Sequence, residues 1–455
     1  MGLLVLLFVI SMPGIVVAPS PIAANPHGGT VPFRATGAPG GFTLSGSVGS
    51  IEISLHNTMN VSTGTYQQPV FINSSADARW INANWSNGIA YYPSNDTPIY
   101  GWLESNATNT ANSTLLWLRL DAIPAGGWTN VSIAFWPKSS FELSATGYMG
   151  EAPELSAQYA EFDNGASVFN FYDDFNGTTL ASHWTGSTGW TYRVDDGFSV
   201  DSVPGSGSGI YSRSPYNSYP AVVDFYGDLY QTTSATHFVS EGLGTSACTG
   251  CYTAEAVAWA ATGATYSGPS PQAAYFGSEN FGTSAFSTQQ AAVFTTEAVS
   301  STEAIYEVNY TAAQTLTSNL PPGPLPVALA IAGYSPGLLT NNESTTWIRE
   351  RTYVPFLPTV NVSAIQYPVT GAETGLPAGT PWWLNVTNGT SHLSRTPTFS
   401  FNESNGTYAY TVGTTNKTFA APGGTFDVTG GPLVVPVTFH PVTYPVNFTE
   451  TGLPP

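Results

Sequence analysis

Charged residues are scarce in this sequence, and basic residues are the scarcest of them. Charged residues make up 9% of the 455 residues, and the ten Lys and Arg side chains include only two lysines, Lys138 and Lys417. The 29 acidic residues outnumber the basic ones and give a formal charge of −19. A surface of this sign repels nucleic acid and anionic lipid, so we predict that neither is a partner.

The small number of ionisable groups also limits how far the net charge can change with pH. With every carboxylate protonated, the ten Lys and Arg and the six His residues leave a charge of about +16, which is modest for this length. Self-repulsion at low pH stays small as a result. We expect an acidic extracellular setting to suit the chain, and a collapse of stability below about pH 4 would contradict this expectation.

The sequence has only two cysteines, Cys248 and Cys251, separated by Thr249 and Gly250. A zinc site of this spacing needs a second pair, and a redox pair needs a thioredoxin-like context; neither is present. The spacing therefore predicts a small loop disulfide in an exported protein, with free thiols as the alternative. The six histidines show no spacing typical of metal ligands.

The apolar run near the start of the chain, Leu3 to Val17, is too short to cross a bilayer comfortably and is interrupted by Pro13 and Gly14. Residues 1–24 are predicted to be an export signal, followed by a Gly- and Pro-rich leader over residues 25–50. No Lys or Arg precedes the run, which leaves a buried N-terminal strand as the alternative.

Asn-x-Ser/Thr sequons occur throughout the chain, and in an exported protein they are acceptors of N-linked glycans. A composition rich in Asn and Thr produces many of them by chance, so glycosylation is a prediction that intact-mass measurement can test. The candidate sites are Asn60, Asn84, Asn112, Asn176, Asn309, Asn361 and Asn388.

Gly, Ser, Thr, Asn and aromatic residues are abundant, and strand-sized apolar runs recur between turn signals. These features predict an all-β protein built of tandem β-sandwiches. A first module over residues 51–165 shows the two-residue period of half-buried strands. Its alternating sets are Ile51, Ile53 and Leu55; Leu116, Leu118 and Leu120, which oppose Leu115, Trp117 and Arg119; and Val131, Ile133 and Phe135.

Several short motifs of this first module follow one order. They are Ala76-Asp77-Ala78-Arg79-Trp80-Ile81, Gly88-Ile89, Tyr100-Gly101-Trp102-Leu103-Glu104, Leu116-Trp117-Leu118-Arg119-Leu120, Ile123-Pro124-Ala125-Gly126 and Val131-Ser132-Ile133-Ala134-Phe135-Trp136. In this order they resemble a domain-of-unknown-function family of archaeal and bacterial exported proteins, which has an Asp-x-Arg-aromatic strand and a Trp-Val-x-Val-type strand. The family has no established activity, so the resemblance transfers no catalytic residue.

In that family the module commonly precedes a concanavalin A-like, laminin G-like jelly roll, which the resemblance places at residues 166–363. The start of that domain is similar to Phe171–Trp184, its second strand to Trp190–Val200, and its closing strand to Trp347–Pro358. Concanavalin-like jelly rolls often hold calcium, which makes Asp173 and Asp174 weak candidate ligands. The alternative is that these two carboxylates accept hydrogen bonds from neighbouring backbone N–H groups at a strand end.

One further stretch of carboxylates bears on catalysis. Glu161-Phe162-Asp163 resembles the first half of the carboxylate strand of jelly-roll glucanases, but Asn164 and Gly165 stand where the general acid would follow. Paired carboxylates at hydrolytic spacing are therefore not available locally, and a solvated strand end is expected. We predict on this basis that the chain is not an enzyme.

After residue 363 the sequence contains a repeat. Residues 367–377 recur as residues 444–454, at an offset of 77, with the shared pattern Tyr-Pro-Val at the start and Glu-Thr-Gly-Leu-Pro at the end. The pattern resembles repeats of secreted and cell-surface archaeal proteins. It implies an immunoglobulin-like repeat at residues 364–443 and the truncated start of a second at residues 444–455, continuing into a missing C-terminal region that extends or anchors the protein. Thr398–Phe401, the Asn405-Gly406 turn and Tyr408–Val412 predict a hairpin inside it.

These features together predict a secreted or cell-surface, non-catalytic protein that binds polysaccharide or another cell-surface component in adhesion. Exposed Trp and Tyr side chains would stack on sugar rings, and one of the adjacent Trp382 and Trp383 should be exposed because neighbouring strand residues face opposite ways. The alternatives are a structural envelope or filament component and the non-catalytic part of a secreted hydrolase.

Overall fold

The structure is a computed structural model of the chain. It describes residues 42–452 except residues 79, 187–190, 204–207, 214–217, 230–237, 246–254, 263–265, 277, 286–289, 333–336, 365 and 388. The predicted export signal, most of the leader, Cys248, Cys251 and Asn388 lie outside the described residues.

The prediction of an all-β protein built of β-sandwiches is confirmed. Helical structure among the described residues amounts to one short α-helix, α1 (Gly165–Val168), and two 3₁₀ turns, Ser74–Asp77 and Pro153–Leu155. The other regular elements of this part of the chain are strands. None of its helices has the length and apolarity of a membrane span.

The N-terminal module is a sandwich of two sheets. Its strands are β1 (Gly49–His56), β2 (Tyr66–Ile72), β3 (Gly88–Tyr92), β4 (Thr97–Ile99), β5 (Gly101–Ser105), β6 (Thr114–Leu120), β7 (Trp128–Phe135) and β8 (Met149–Glu151). Here sheet A has the order β1-β7-β3-β4, and sheet B has the order β2-β6-β5-β8. The predicted inward sets on β1, β6 and β7 are fully buried between the two sheets, as the two-residue period requires.

The middle module is a second, larger sandwich. Its strands are β9 (Phe171–Asp173), β10 (Trp184–Gly186), β11 (Thr191–Val194), β12 (Phe198–Val203), β13 (Ser208–Ser212), β14 (Ala221–Asp228), β15 (Phe238–Thr245), β16 (Glu255–Thr262), β17 (Tyr266–Tyr275), β18 (Ser278–Phe281), β19 (Ala292–Ser300), β20 (Glu303–Val308), β21 (Thr311–Leu316), β22 (Val327–Ala332) and β23 (Gly337–Arg351). Sheet C has the order β11-β12-β23-β14-β19-β20-β21, with β9 also beside β23, and sheet D has the order β10-β13-β22-β15-β16-β17-β18. Phe225, Trp259, Phe294 and Ile348 are buried in the core of this sandwich.

The C-terminal module contains the remaining strands. They are β24 (Thr359–Val362), β25 (Gln366–Thr374), β26 (Trp382–Val386), β27 (Ser391–Ser394), β28 (Thr398–Ser404), β29 (Gly406–Thr414), β30 (Phe419–Ala420), β31 (Gly424–Val428), β32 (Leu433–Thr438) and β33 (His440–Pro441). β25 pairs with β28 and β32, and sheet E has the order β27-β26-β29-β31. Trp382 is buried, whereas Trp383 is half-buried, in line with the opposite faces that strand alternation gives them.

Sheet A continues from the N-terminal module into the C-terminal one. β24 runs antiparallel to one end of β1, and Gln366 at the start of β25 pairs with Ser50 at the other end. β25 then leaves β1 and becomes the partner of β28 and β32. The rings of Trp80 and Tyr367 meet edge to face across this junction, with centroids 5.2 Å apart. The two modules therefore share one sheet and one apolar cluster.

The hairpin predicted inside the C-terminal module is wrong. β28 pairs with β25, whereas β29 pairs with β26 and β31, so the Asn405-Gly406 connection crosses from one sheet to the other. Alternation fixes which face of a strand is buried, but it does not select the strand beside it.

The outer faces of sheets B and C pack against each other, so the N-terminal and middle modules form a stack of four sheets. Trp102, Leu115 and Trp117 on sheet B are buried in a cluster that also contains Val293 and Trp347 on sheet C. Alternation places Leu115 and Trp117 opposite the core of their own module. The middle module covers this second face, which explains why both faces of β6 are apolar.

Candidate functional site

Arg349 lies at the centre of the interface between the N-terminal and middle modules. Its side chain, on β23, is 0% exposed. Nε lies 2.8 Å from Asp224 Oδ2 on β14, and Nη1 lies 2.9 Å from Glu104 Oε2 on β5. The Nη1 contact has the distance of an ion pair without the geometry of a hydrogen bond. One guanidinium group thus joins a carboxylate from each module.

Aromatic rings from both modules surround this guanidinium group. Its central carbon lies 4.3 Å from the ring centroid of Trp117, and the other rings are Phe169 at 4.5 Å, Trp347 at 4.7 Å and Trp102 at 5.3 Å. A cation over an aromatic face in a site without water gains about 2 kcal/mol or more. The rings therefore offset part of the free-energy cost of removing the Arg349 guanidinium group from water.

Asp224 also forms an ion pair with a second arginine. Arg351 Nε lies 3.0 Å from the same Asp224 oxygen, and Arg351 Nη2 lies 3.5 Å from Glu297 Oε1. Burial alone would raise the pKa of Asp224, but the charges of Arg351 and Arg349 together hold it below its ordinary value. Asp224 is therefore an ionised carboxylate at neutral pH despite complete burial.

Tyr310 reaches Glu104 from the tight turn between β20 and β21. Asn309 and Tyr310 have φ values of 50° and 61°, as the two central residues of a type I′ hairpin turn require. A tyrosine rarely adopts this conformation. The Tyr310 hydroxyl lies 2.6 Å from Glu104 Oε2 and accepts a hydrogen bond from Arg349 Nη2 at 2.8 Å. These contacts hold the strained turn against the other module.

A cleft of about 410 Å³ opens beside this cluster, and both modules contribute to its wall. We call it the interface cleft. Its volume lies within the range of small-ligand sites. The residues on which its chemistry depends are Phe71, Glu104, Glu154, Tyr226, Asn309, Tyr310 and Trp347.

The wall of the interface cleft offers flat apolar rings. Phe71 is 55% exposed at the rim. Tyr226 is half-buried and stacks on Trp347, with ring centroids 5.9 Å apart and an angle of 27° between the planes. Tyr310 is also half-buried. The rings therefore present faces and edges to an occupant while their other sides are packed on protein.

Glu154 brings its carboxyl group into the cleft from the 3₁₀ turn Pro153–Leu155. The residue as a whole is exposed, whereas its carboxyl group lies among protein atoms, 3.4 Å from Trp347 Nε1. Burial raises the pKa of Glu154 to about 7, and the neighbouring charge of Glu104 acts in the same direction. Glu154 is therefore a hydrogen-bond donor at mildly acidic pH and a carboxylate acceptor at alkaline pH.

Such a cleft is suited to a ligand that has both an apolar face and hydroxyl or amino groups. The rings can pack against C–H surfaces, and the carboxyl groups can hydrogen-bond to the polar substituents. A sugar ring has this combination of surfaces.

A second pocket, of about 240 Å³, contains Asp163 together with the predicted residues Asp173 and Asp174. Asp163 Oδ1 accepts hydrogen bonds from Trp102 Nε1 and Gly165 N, each at 2.8 Å, and Oδ2 accepts one from the Tyr172 hydroxyl at 2.5 Å. The expected solvated strand end at Asp163 is therefore wrong. The residue lies outside the strands, and its carboxyl group is engaged by residues of both modules.

Asp163 and Asp174 form a carboxyl pair. Burial raises the pKa of Asp163 to about 8, and the charge of Asp174 acts in the same direction. Burial also raises the pKa of Asp174. Two adjacent carboxylates repel each other, which favours a state in which one of them is protonated. The pair therefore retains a proton at neutral pH.

Asp173 and Asp174 do not converge on one cation. Asp173 accepts a hydrogen bond from Phe175 N at 2.7 Å and contacts His183 Nε2 at 2.8 Å and Trp184 Nε1. Within the described part of the chain, no group of three or more His, Cys, Asp or Glu residues is arranged to hold a metal ion. The donors do not fit calcium in this arrangement, and calcium binding stays a prediction. Both aspartates accept from backbone N–H groups, as the alternative interpretation expected, because Asn176 N lies 3.1 Å from Asp174 Oδ1.

The six described candidate glycosylation sites are all exposed. They are Asn60, Asn84, Asn112, Asn176, Asn309 and Asn361. Exposure is necessary for modification and does not establish it, so glycosylation stays a prediction. Asn309 also lines the interface cleft, where a glycan would compete with any other occupant. Asn388 and the predicted disulfide between Cys248 and Cys251 lie outside the described residues.

Sequence reasoning named Trp102, Glu104, Trp117 and Arg349 as members of motifs without giving them a role. The structure brings them together at one interface. The signal that could have identified it is the placement of the bases, because two of the ten lie on one strand beside a tryptophan, in Trp347-Ile348-Arg349-Glu350-Arg351. A buried pair of arginines needs acidic partners from other strands.

Comparisons with known sequences identify little of the chain. No family model matches it. Over 89 residues it is 35% identical to a curated protein of Sulfolobus islandicus rod-shaped virus 1, named uncharacterized protein 562. This match covers 19% of the chain and only 14% of the viral protein.

Solved structures that resemble part of the chain are concanavalin A-like jelly-roll glycanases. The Bacillus licheniformis beta-glucanase has a TM-score of 0.30 and 10% identity, covering 40% of this chain and 98% of its own. The endo-beta-1,3-glucanase from Pyrococcus furiosus has a TM-score of 0.31 and 12% identity, covering 41% and 95%. Beta-agarase A from Zobellia galactanivorans has a TM-score of 0.29 and 13% identity, covering 41% and 92%.

These neighbours contradict the prediction that the chain is not an enzyme, because each of them is named as one. That prediction is therefore withdrawn. Similarity at this low level supports no statement about the activity of this chain.

Proposed function

We propose that the chain is a secreted or cell-surface protein that binds polysaccharide in the interface cleft. The observation that carries the proposal is the cleft itself, in which Phe71, Tyr226 and Tyr310 stand beside the carboxyl group of Glu154. Aromatic rings pack against the C–H faces of sugars, and carboxyl groups bind their hydroxyls. Because the cleft is built from two modules, binding depends on their fixed packing around Arg349.

In this proposal the N-terminal and middle modules form the binding body, and the C-terminal module displays it at a surface. The N-terminal module belongs to the exported family that its ordered motifs resemble, and the C-terminal module is the first unit of a repeated stalk. The repeat of the β25 sequence at residues 444–454 supports the second assignment.

The test is a pull-down of the full chain with insoluble cellulose, chitin, agarose and β-1,3-glucan. Protein should be produced without glycosylation, so that no glycan at Asn309 covers the cleft. We expect Phe71→Ala and Tyr226→Ala each to weaken binding roughly fivefold, because stacking of one ring contributes about 1 kcal/mol. Phe141→Ala is the matched control, since Phe141 is 53% exposed and lies outside the cleft. Release of reducing ends, measured in the same tubes, reports any cleavage of the bound polymer.

Equal losses in Phe71→Ala and Phe141→Ala would show that the interface cleft is not the site. Absence of binding by a chain shown to be folded would overturn the proposal and favour the structural envelope role.

A further inference from the structure

We infer that the sugar bound in the interface cleft carries a positively charged amino group and that Glu154 binds it. The ligand class is thus a polysaccharide containing unacetylated amino sugars. This inference rests on the proposed function and names the ligand class of the same site.

The first support is the sign of the charges in the cleft. Its charged lining residues are Glu104 and Glu154, and no Lys or Arg is among the described residues of its wall. Arg349 lies behind the wall with no exposed surface, already committed to Glu104 and Asp224. With a formal charge of −19 on the whole chain, a sulfated or uronic acid polymer is repelled and a cationic one is attracted.

The second support is the unequal pairing of the two carboxyl groups. Glu104 is 5% exposed and is held by Arg349, Trp117 Nε1 at 2.6 Å and the Tyr310 hydroxyl. Glu154 forms no ion pair with a described residue, and its side-chain neighbour is Trp347 Nε1 at 3.4 Å. Glu104 therefore serves the structure, whereas Glu154 has free capacity for a ligand. Burial raises its pKa by more than the charge of Arg349 lowers it.

The third support is the aromatic character of the remaining wall. An ammonium group is attracted to the faces of tyrosine and phenylalanine rings as well as to a carboxylate. Tyr226 and Phe71 offer such faces and also pack against the sugar ring that bears the amino group. A neutral sugar would use the rings and leave Glu154 without a partner of opposite charge.

The experiment compares three β-1,4-linked tetramers that differ only at carbon 2, namely those of glucosamine, N-acetylglucosamine and glucose. Binding to the full chain is measured by titration calorimetry at about pH 6, in two buffers of different ionisation enthalpy, which also gives the protons released. We expect the glucosamine tetramer to bind at least about fivefold more tightly than the other two. Its binding should release up to one proton, because Glu154 must ionise to pair with the ammonium group.

Glu154→Gln should abolish both the preference and the proton release, and Glu303→Gln should change neither. Glu303 is an exposed residue at the far end of β20 from the cleft, which makes it the matched control.

The outcomes separate this inference from the proposed function. If the three tetramers bind equally, Glu154→Gln has no effect and Phe71→Ala weakens all three, the inference is wrong while polysaccharide binding stands. If none of the tetramers or insoluble polymers binds, both are wrong. If tetralysine binds as tightly as the glucosamine tetramer and depends equally on Glu154, the cleft recognises cationic peptides, and the amino-sugar assignment is overturned.

Discussion

Two groups of buried carboxylates lie between the same two modules, and the pKa values of Asp224 in the first and Asp163 in the second shift in opposite directions. Asp224 is completely buried beside Arg349 and Arg351, and its pKa is lowered. Asp163 is held by Trp102 and Tyr172, has no basic partner among the described residues, and has its pKa raised to about 8 by burial. Asp224 is neutralised by arginines, whereas Asp163 is neutralised by a bound proton. The chain has only ten basic residues, so a proton takes the place of an arginine at Asp163.

Glu241, inside the middle module, is like Asp163 a buried acid with a raised pKa. It is 2% exposed, and its carboxylate accepts a hydrogen bond from Thr345 Oγ1 at 2.7 Å. Burial raises the pKa of Glu241 to about 7. Burial disfavours the charged forms of Glu241 and Asp163. The folded state is therefore more stable at acidic pH, where both groups bind a proton, than at alkaline pH. This agrees with the acidic setting expected from the low charge density.

Removing the arginine from the first group should have the largest effect. We expect Arg349→Met to lower the free energy of unfolding by about 3–5 kcal/mol at pH 7, because Glu104 and Asp224 lose their shared cation. Urea denaturation measures the change, with Arg395→Met as the control at an exposed arginine. A loss below about 1 kcal/mol would mean that Arg351 and the hydrogen bonds of the cluster suffice without Arg349.

The second largest effect should come from replacing Glu241, a buried acid with no cationic partner among the described residues. The pKa of Glu241 is about 7 when folded and close to the ordinary 4.5 when unfolded, so the folded state binds more protons between these values. Stability from this group is therefore complete below about pH 4.5 and is lost as the pH rises through 7. We expect Glu241→Gln to raise the free energy of unfolding by about 3 kcal/mol at pH 8 and to leave it almost unchanged at pH 4.5.

Denaturation of both proteins from pH 3 to pH 9 tests this prediction, with the exposed Glu303→Gln as the control. Asp224 should act in the opposite sense, because its lowered pKa stabilises the fold above its unfolded value of about 3.8 and this contribution is lost as the pH falls further. Wild-type stability should thus be greatest at moderately acidic pH. A maximum above pH 7 would contradict the comparison.

A smaller effect is expected from Asp174→Asn, which leaves Asp163 without a charged neighbour. Above about pH 8 both carboxyl groups of the wild type are ionised and repel each other, whereas the variant carries one charge. We expect its melting temperature to exceed that of the wild type by a few degrees at pH 9, and the two to agree at pH 5. Asp96→Asn, at an exposed turn, is the control. A gain that is equal at both pH values would show that repulsion is not its cause.

Strand alternation predicted much of the fold because it reports burial directly. Ile51, Leu116 and Val131 head sets of residues that fill the N-terminal sandwich, as predicted. Which strands pair with each other was harder to predict. The Asn405-Gly406 turn has the residues typical of a hairpin turn, but it joins strands of different sheets. A local sequence pattern does not determine which strand becomes the hydrogen-bonded neighbour of another.

The candidate site could not be predicted from the sequence, for a related reason. Glu104, Glu154, Tyr226 and Tyr310 come from four separate elements of two modules, and no spacing along the chain connects them. Asp163 was interpreted from its immediate neighbours, although Trp102 and Tyr172 decide its environment. Only the packing of sheet B on sheet C brings these groups together.

The shared sheet between the N-terminal and C-terminal modules has a mechanical consequence. Tension applied to the C-terminal module passes through β25 and β24 into the hydrogen-bond ladder on β1, a strand held on its other side along its whole length by β7. The ladder bonds run across the strands, so a pull along the strand axis loads them together in shear instead of opening them one at a time. Two modules joined in this way transmit force from one to the other without an extensible hinge.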